Sequence, residues 1–166
     1  MKSVPILKSK RCILREIRND DFIAIQELMN DDEFQRFLPE LYELTNTEDG
    51  ICQFLKSFSV YLEQDEGILW GISLNSNIVG FVAIMDMTDN PTLFYTIHSL
   101  HRNNGYMTEC ISSIISFLMK HKFCDYIQTE VYDENVASLN VLFKNGFEII
   151  GHYNAEKTFL KLNIKK

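Results

Sequence analysis

The sequence predicts an α/β fold with a single mixed, mostly antiparallel central sheet flanked by helices. Two strand-like runs, residues 68–74 and 78–87, are joined by a short polar connection and form the clearest hairpin in the chain. Strand-like and helical periodicities then alternate from residue 92 onward. The 166 residues, of which 46% are hydrophobic, suffice for one core, so we expect a single domain over residues 1–166.

The N-terminal half is predicted to form one strand and two helices. Residues 11–17 alternate in polarity as a strand does, and Asn19 or Asp20 can cap a helix behind it. Thr45 and Glu48 have the spacing of a capping box, which predicts that a longer helix begins there. The apolar stripe of that helix is interpreted as core and consists of Ile51, Phe54, Leu55, Phe58 and Leu62.

The C-terminal half alternates strands with helices. Asn145 and Gly146 suit the C-terminal cap of the last helix. The whole order is strand, two helices, three antiparallel strands, helix, strand, helix and two strands, which is typical of one mixed sheet. Strands are predicted over residues 92–97, 126–132, 147–153 and 158–164, and helices over residues 106–120 and 136–144.

The composition argues against several classes of function. A net charge of −7 disfavours nucleic acid as a partner and fits a cationic small substrate or a basic peptide. No apolar run is long enough to span a bilayer, and residues 1–10 lack a signal-peptide apolar region, so a cytoplasmic protein without a membrane partner is expected. The four cysteines are scattered and form no Cys-x-x-Cys pair, which predicts reduced thiols and no metal site.

Residues 95–109 have the composition of an anion site. A strand-like run ends in a polar loop with one glycine, and a helix follows directly. The first turn of a helix carries amide donors without internal partners and the positive end of the macrodipole. Gly105 lets the backbone approach a ligand closely, and Arg102 adds a positive charge. An ordinary strand-to-helix turn is the alternative, because a motif with a single glycine is weak.

The same stretch resembles the acetyl-CoA signature of the GNAT (Gcn5-related N-acetyltransferase) superfamily. The family pattern is Arg or Gln, two residues, Gly, one residue, and Gly or Ala, and Arg102, Gly105 and Met107 hold these positions. Met107 departs from the pattern, and it would crowd a phosphate unless it turned toward the core. The resemblance implies that the amides of residues 102–107 hold the pyrophosphate of acetyl-CoA.

A second stretch resembles the branch of this family that acetylates ribosomal-protein N-termini. Asn135 and Ser138 match its Asn-x-x-Ser helix, which ends here in Gly146 and Phe147. The resemblance implies a GNAT-like sheet in which the strand before the signature splays from the strand at residues 126–132. The gap would take the pantetheine arm, and an amine would attack the acetyl thioester directly.

Ser138 and His98 are the catalytic candidates that the resemblance implies. Ser138 would hydrogen-bond the thioester or the leaving sulfur, although a local backbone contact is an equal alternative. His98 has an unperturbed pKa of roughly 6.5, which suits a base, but its side chain could instead face solvent or the cofactor. Phe143 stands where many relatives carry a proton-donating tyrosine. The expected cofactor-binding residues are Ile97, His98, Arg102, Asn103, Asn104, Gly105, Tyr106, Met107, Thr108, Asn135, Ser138 and Lys144.

The sequence therefore predicts an acetyl-CoA-dependent N-acetyltransferase acting on a primary amine. The acceptor stays open between a peptide N-terminus, a polyamine and another small amine. An α-amine with a pKa of roughly 7.7–8.0 is partly neutral at pH 7 and needs little help from a base. A polycation is favoured instead by the acidic residues that the resemblance places at the acceptor site, although a solvated acidic loop is the alternative: Asp31, Asp32, Glu33, Glu40 and Glu43. The rival hypothesis is a non-catalytic acyl-CoA-binding or sensor domain, motivated by Met107 and Phe143. A homodimer is left open.

Overall fold

The structure is a computed structural model that describes residues 1–165, and over these residues the chain forms one sheet of eight strands and six α-helices. The strands are β1 (Leu7–Lys8), β2 (Ile13–Arg15), β3 (Gly67–Leu74), β4 (Asn77–Met85), β5 (Thr92–Ile97), β6 (Tyr126–Tyr132), β7 (Glu148–Tyr153) and β8 (Lys157–Asn163). The helices are α1 (Phe22–Met29), α2 (Asp32–Phe37), α3 (Pro39–Thr45), α4 (Glu48–Glu63), α5 (Tyr106–His121) and α6 (Val136–Lys144).

The strand order is β1-β2-β3-β4-β5-β6-β8-β7, and every neighbouring pair is antiparallel except β5 and β6. The predicted mixed, mostly antiparallel sheet is confirmed. The predicted hairpin is β3 and β4, with Leu74 opposite Asn77. Between them Asn75 and Ser76 both have positive φ, 49° and 70°, as a tight turn that matches the strand twist requires.

The parallel strands β5 and β6 separate almost as soon as they meet. Their register contains one pair, Thr92 opposite Gln128. The amide of Gln128 also donates to Pro91 O at 2.9 Å, and Asn90 Oδ1 accepts from Gln128 Nε2 at 2.8 Å. Beyond this point β5 keeps its pairing with β4 as far as Ile97, while the side facing β6 is open. The splayed strand pair is therefore confirmed.

The N-terminal half differs from the prediction in its number of helices. Four helices, α1 to α4, lie between β2 and β3 instead of two. Pro39 causes the extra break, because proline at the first position of α3 cannot continue α2. The pair β1 and β2 is also shorter and more broken than the single strand predicted over residues 11–17.

The predicted capping box at Thr45 and Glu48 is wrong. Thr45 is the last residue of α3, is buried, and donates its hydroxyl to Leu41 O at 2.8 Å. Thr47 caps α4 instead, because its Oγ1 accepts from the amide of Gly50 at 3.1 Å. The two threonines are two positions apart, and only the end of α3 decides which one is free to cap.

Helices cover both faces of the sheet. One face packs against α5 and α6 around Trp70, Ile111 and Leu142, and the other packs against α1, α2 and α4 around Phe34 and Phe81. No helix among residues 1–165 has both the length and the apolar character needed to cross a membrane. The divergence of β5 from β6 leaves a cleft between these layers.

Candidate active site

A cavity of about 290 Å³ fills the opening between β5 and β6, with the loop before α5 at one end and the first turn of α6 along its side. It is lined by most of the residues that the sequence analysis assigned to the cofactor. These are Ile97, Arg102, Asn103, Gly105, Tyr106, Met107, Thr108, Asn135, Ser138 and Lys144. Two predicted residues, His98 and Asn104, lie outside it.

The α5 end of the cleft is built to receive an anion. Gly105 is the N-cap of α5 with φ of +79°, and Asn103 also has positive φ, 59°. This loop geometry leaves the amides of Tyr106, Met107 and Thr108 without a protein acceptor among the described residues. Unpartnered amides at the positive end of a helix macrodipole bind phosphate oxygens well.

Met107 does not obstruct this end. Its side chain is 5% exposed and packs in the core on the α5 face of the sheet. The residue therefore turns away from the loop, as a helix-packing residue does, and only its backbone faces the proposed phosphate position. The crowding considered from the sequence does not occur.

Arg11 is a cation at this end that the sequence analysis did not find. Its Nε donates to Glu109 Oε1 at 2.8 Å, a terminal nitrogen donates to Asn104 O at 2.5 Å, and its guanidinium lies 4.3 Å from the centre of the Tyr106 ring. No motif surrounds Arg11 in the sequence, and it reaches the loop only because β1 and β2 lie beside α5. Lys144 is the other cation here, and it has no ion pair among the described residues.

Arg102 lines the cleft, but its guanidinium is bonded to other groups of the protein. Its Nε donates to Ile97 O at 3.0 Å, and a terminal nitrogen donates to Asp31 Oδ1 at 3.1 Å. Glu33 pairs with the same guanidinium. The predicted contact with pyrophosphate is thus not the arrangement found, because two carboxylates already hold the charge.

Asp31 is the centre of this arrangement. Its side chain is only 5% exposed and also accepts from the Ser99 amide at 3.1 Å. Burial alone would raise the pKa of this carboxyl, but the hydrogen bonds from Ser99 and the charge of Arg102 outweigh it and hold the pKa below its usual range. The ionised Asp31 therefore fastens the loop after β5 to the start of α2.

Ser138 and Asn135 lie where the cleft meets α6. Asn135 Oδ1 accepts from the Ser138 amide at 3.2 Å and so caps the helix. The Tyr95 hydroxyl lies 2.7 Å from Ser138 Oγ and 3.2 Å from Ser138 O, and its one hydrogen can be donated to either oxygen. Tyr95 also lines the cleft, and the sequence analysis gave it no role. The sequence feature that could have indicated a role is its hydroxyl, because Tyr95 carries a polar atom on the apolar stripe of β5 between Leu93 and Ile97.

His98 does not reach the cleft. Its Nδ1 accepts from the amide of Leu100 at 3.3 Å, and its ring faces a shallow depression shared with Gln26 and Asp31. Because β5 ends at Ile97, the chain turns outward at this residue. The geometry gives no support to the prediction that His98 is the catalytic base. Asn104 likewise faces its own loop, where Nδ2 donates to Arg102 O at 2.8 Å.

Two carboxylates also line the cleft. Glu33 of α2 and Glu130 of β6 both line it, with Tyr132 between the walls. Lys157 pairs with Glu130 at 2.5 Å and lies 4.5 Å from the centre of the Tyr132 ring. Burial lowers the pKa of Lys157, but its bonds to Glu130 and Glu40 outweigh burial and raise that pKa. Arg102 pairs with Glu33 and Lys157 pairs with Glu130, so each of the two carboxylates already has a cation of the chain beside it.

Comparison with known proteins gives the same architecture. Residues 11–148 match the family described as Acetyltransferase (GNAT) domain. A Bacillus subtilis (strain 168) protein called "Uncharacterized N-acetyltransferase YoaA" is 30% identical over 151 residues, which cover 87% of this chain and 83% of the relative.

Two solved structures show how closely the fold is shared. RimL, a ribosomal L7/L12 alpha-N-protein acetyltransferase in complex with coenzyme A, gives a TM-score of 0.84 at 13% identity, over 96% of this chain and 98% of that chain. A spermidine N-acetyltransferase from Vibrio cholerae, with CoA and spermine bound, gives a TM-score of 0.76 at 14% identity, over 92% and 95%. At these identities the likeness establishes the fold alone.

Proposed function

Because this chain belongs to the GNAT acetyltransferase family, we propose that its cleft between β5 and β6 transfers the acetyl group of acetyl-CoA to a primary amine. Family membership, predicted from the sequence, is confirmed and sets the class of enzyme. The acceptor and the role of each residue are the proposal. The observation that carries it is one open cleft with unpartnered helix amides after Gly105 at one end and the Ser138 hydroxyl at its side.

The cleft fits acetyl-CoA by its donor set. The amides of residues 106–108 would hold the pyrophosphate, and Lys144 and Arg11 would supply positive charge beside it. The open backbone of β5 facing β6 would pair with the amide groups of the pantetheine arm, as an added strand pairs with a sheet edge. Bound there, acetyl-CoA supplies an activated acyl thioester.

The chain's own contribution to the reaction is mainly positioning. Holding an amine against a fixed thioester converts a bimolecular step into a unimolecular one, which supplies a large part of the rate. The amine enters neutral, attacks the carbonyl, and releases its proton to water. Ser138 donates a hydrogen bond to the sulfur as charge develops on it. Phe143 is 45% exposed and takes no part in proton transfer.

The acceptor is proposed to enter between α2 and β6. Glu33 and Glu130 line this entrance and offer carboxylate oxygens as hydrogen-bond acceptors to the amine, while Arg102 and Lys157 balance their charge. The fold relatives whose names describe a ribosomal-protein α-amine acetyltransferase and a spermidine acetyltransferase support these two acceptor classes.

A thiol-release assay tests the proposal. The protein is incubated with acetyl-CoA and, in turn, ribosomal-type N-terminal peptides, polyamines and aminoglycosides, and free CoA is measured with a thiol reagent. We expect release that depends on one class of amine and rises with pH until that amine is neutral. Tight binding of acetyl-CoA without release for any amine would instead favour the non-catalytic acyl-CoA-binding or sensor domain.

A further inference from the structure

Among the described residues, the hydroxyl of Tyr95 forms hydrogen bonds with one residue only, and that residue is Ser138. It lies 2.7 Å from Ser138 Oγ and 3.2 Å from Ser138 O. Tyr95 is on β5 and Ser138 is on α6, so this contact crosses the cleft from one wall to the other. It is formed between residues 43 positions apart in the sequence.

Packing alone does not require this hydroxyl. Tyr95 lies on the apolar stripe of β5 beside Leu93 and Ile97, where a phenylalanine ring would fill the same space. Phe94 fills the equivalent volume on the opposite face of the strand. The polar atom that distinguishes tyrosine from phenylalanine is directed at the serine that the proposed function places beside the leaving sulfur.

We propose that Tyr95 is a positioning residue, which holds Ser138 so that the serine hydroxyl hydrogen is directed to the leaving sulfur. This inference rests on the proposed function. Tyr95 has one hydroxyl hydrogen, and the shorter distance, 2.7 Å against 3.2 Å, favours its donation to Ser138 Oγ over Ser138 O. The serine hydrogen then cannot point back at Tyr95 and is directed into the cleft. The Asn135 cap fixes the backbone of the same serine, so both its main chain and its side chain are held before the reaction.

Tyr95 moves no proton in this scheme. Burial raises the pKa of its hydroxyl far above that of a thiol, so the phenol stays neutral. The amine nitrogen forms the new bond to the acetyl carbon, the carbon–sulfur bond breaks, and its electron pair stays on the sulfur. The amine proton goes to water, and the thiolate keeps the hydrogen bond from Ser138 until it leaves or is protonated by water.

A measurement on bound CoA tests this without turnover. A hydrogen bond from Ser138 to the thiolate stabilises the charged form and lowers the pKa of the CoA thiol in the complex. The thiolate absorbs in the ultraviolet, so the pKa is read from absorbance against pH. We expect Tyr95→Phe and Ser138→Ala each to raise this pKa by roughly one unit relative to wild type, with CoA affinity nearly unchanged at low pH.

A double-mutant cycle on turnover gives the second readout. Ser138→Ala should lower kcat by about 10- to 1000-fold, and Tyr95→Phe by about 10-fold, with little change in the KM for acetyl-CoA. If Tyr95 acts only through Ser138, adding Tyr95→Phe to Ser138→Ala changes kcat by less than about twofold. Tyr153→Phe, at an exposed tyrosine of β7, is the control and should match wild type.

The outcomes separate the inference from the proposed function. An unchanged thiol pKa in Tyr95→Phe, or losses of kcat that add in the double variant, would overturn the positioning role. If the thiol pKa depends on Tyr95 as expected but no amine is acetylated, the inference stands and the proposed function fails. If amines are acetylated and Tyr95→Phe equals wild type in both measurements, the proposed function stands and the inference fails.

Discussion

Gly105 is the residue on which the proposed phosphate site depends most. Its φ of +79° lies in the left-handed region, and a Cβ there would meet Arg11 at 3.2 Å. A side chain at this position strains the turn and also fills the space in front of the α5 amides. The same conformation recurs at Gly146, where φ is +84° and a Cβ meets only Leu162 at 3.7 Å.

These two glycines give a matched prediction. Gly105→Val and Gly146→Val should both lose stability, by about 1–2 kcal/mol or more, because a β-branched residue fits the left-handed region poorly. Only Gly105→Val should also weaken acetyl-CoA binding, measured by calorimetry on folded protein. Equal affinity in the two variants would remove the phosphate site from the loop before α5.

Arg102 is predicted to matter first for stability. Arg102→Ala removes the charge that faces Asp31, whose side chain is 5% exposed, and leaves a buried carboxylate without its cation. We expect a loss of about 3 kcal/mol in the free energy of unfolding, measured with urea. Arg36→Ala breaks an exposed pair with Glu134 and should cost about 0.5 kcal/mol or less. Similar losses of stability for both variants would contradict the claim that Arg102 stabilises the fold by neutralising the buried Asp31.

At the residue scale, local motifs predicted only part of the site. Asn135 and Ser138 are three positions apart and their contact follows from helix capping, so the sequence located them. Tyr95 meets Ser138 across the cleft over 43 positions of sequence, and Arg11 meets Glu109 at the start of α5 over 98 positions, which no local pattern encodes. For His98 the sequence left a catalytic base and a side chain facing solvent or the cofactor as alternatives, because its direction depends on where β5 ends.

At the scale of elements, the site is a consequence of how two strands part. β5 and β6 share one pair, Thr92 with Gln128, and the cleft opens beyond it.

An ion pair connects the first helices to the sheet, and it joins Arg15 on β2 to Asp21 before α1. Its two hydrogen bonds measure 2.7 and 2.9 Å.

This ion pair gives stability a defined dependence on pH. The hydrogen bonds from Arg15, with help from the Arg18 amide, outweigh burial and hold the pKa of Asp21 below its usual range. A carboxyl whose pKa is lower folded than unfolded stabilises the fold above its unfolded pKa of roughly 3.9. That stabilisation is lost as pH falls through the lower, folded value.

Asp21→Asn tests the dependence. Its free energy of unfolding in urea should lie below that of wild type at pH 7. The gap should narrow as the pH falls from about 4, where Asp21 of the unfolded wild-type chain begins to be protonated, through the lower pKa of the folded state. Asp20→Asn, the neighbouring exposed carboxylate, serves as the control and should show no such gap. If the difference in the free energy of unfolding between wild type and Asp21→Asn stayed constant with pH, the lost stability would come from altered packing or hydrogen bonding and not from the charge of Asp21.

At the scale of the whole molecule, periodicity predicted the second half better than the first. From residue 67 onward the strands and helices are long and strongly patterned, and their predicted order is the observed one. In the first half β1 has two residues and α2 six, which is too short for a period to be recognised. The insertion of β8 between β6 and β7 depends on long-range pairing and could not be predicted from local patterns.

Hydrogen–deuterium exchange in the presence of acetyl-CoA tests most directly that the cleft between β5 and β6 is the cofactor site. The account predicts slower exchange at the amides of residues 103–108, along β5 on the side open to β6, and at the first turn of α6. The shallow depression around His98 should be unaffected, and Gly105→Val should lose the effect at the same acetyl-CoA concentration. Binding that leaves residues 103–108 and β5 unprotected, or that protects only surfaces away from the cleft, would contradict the account.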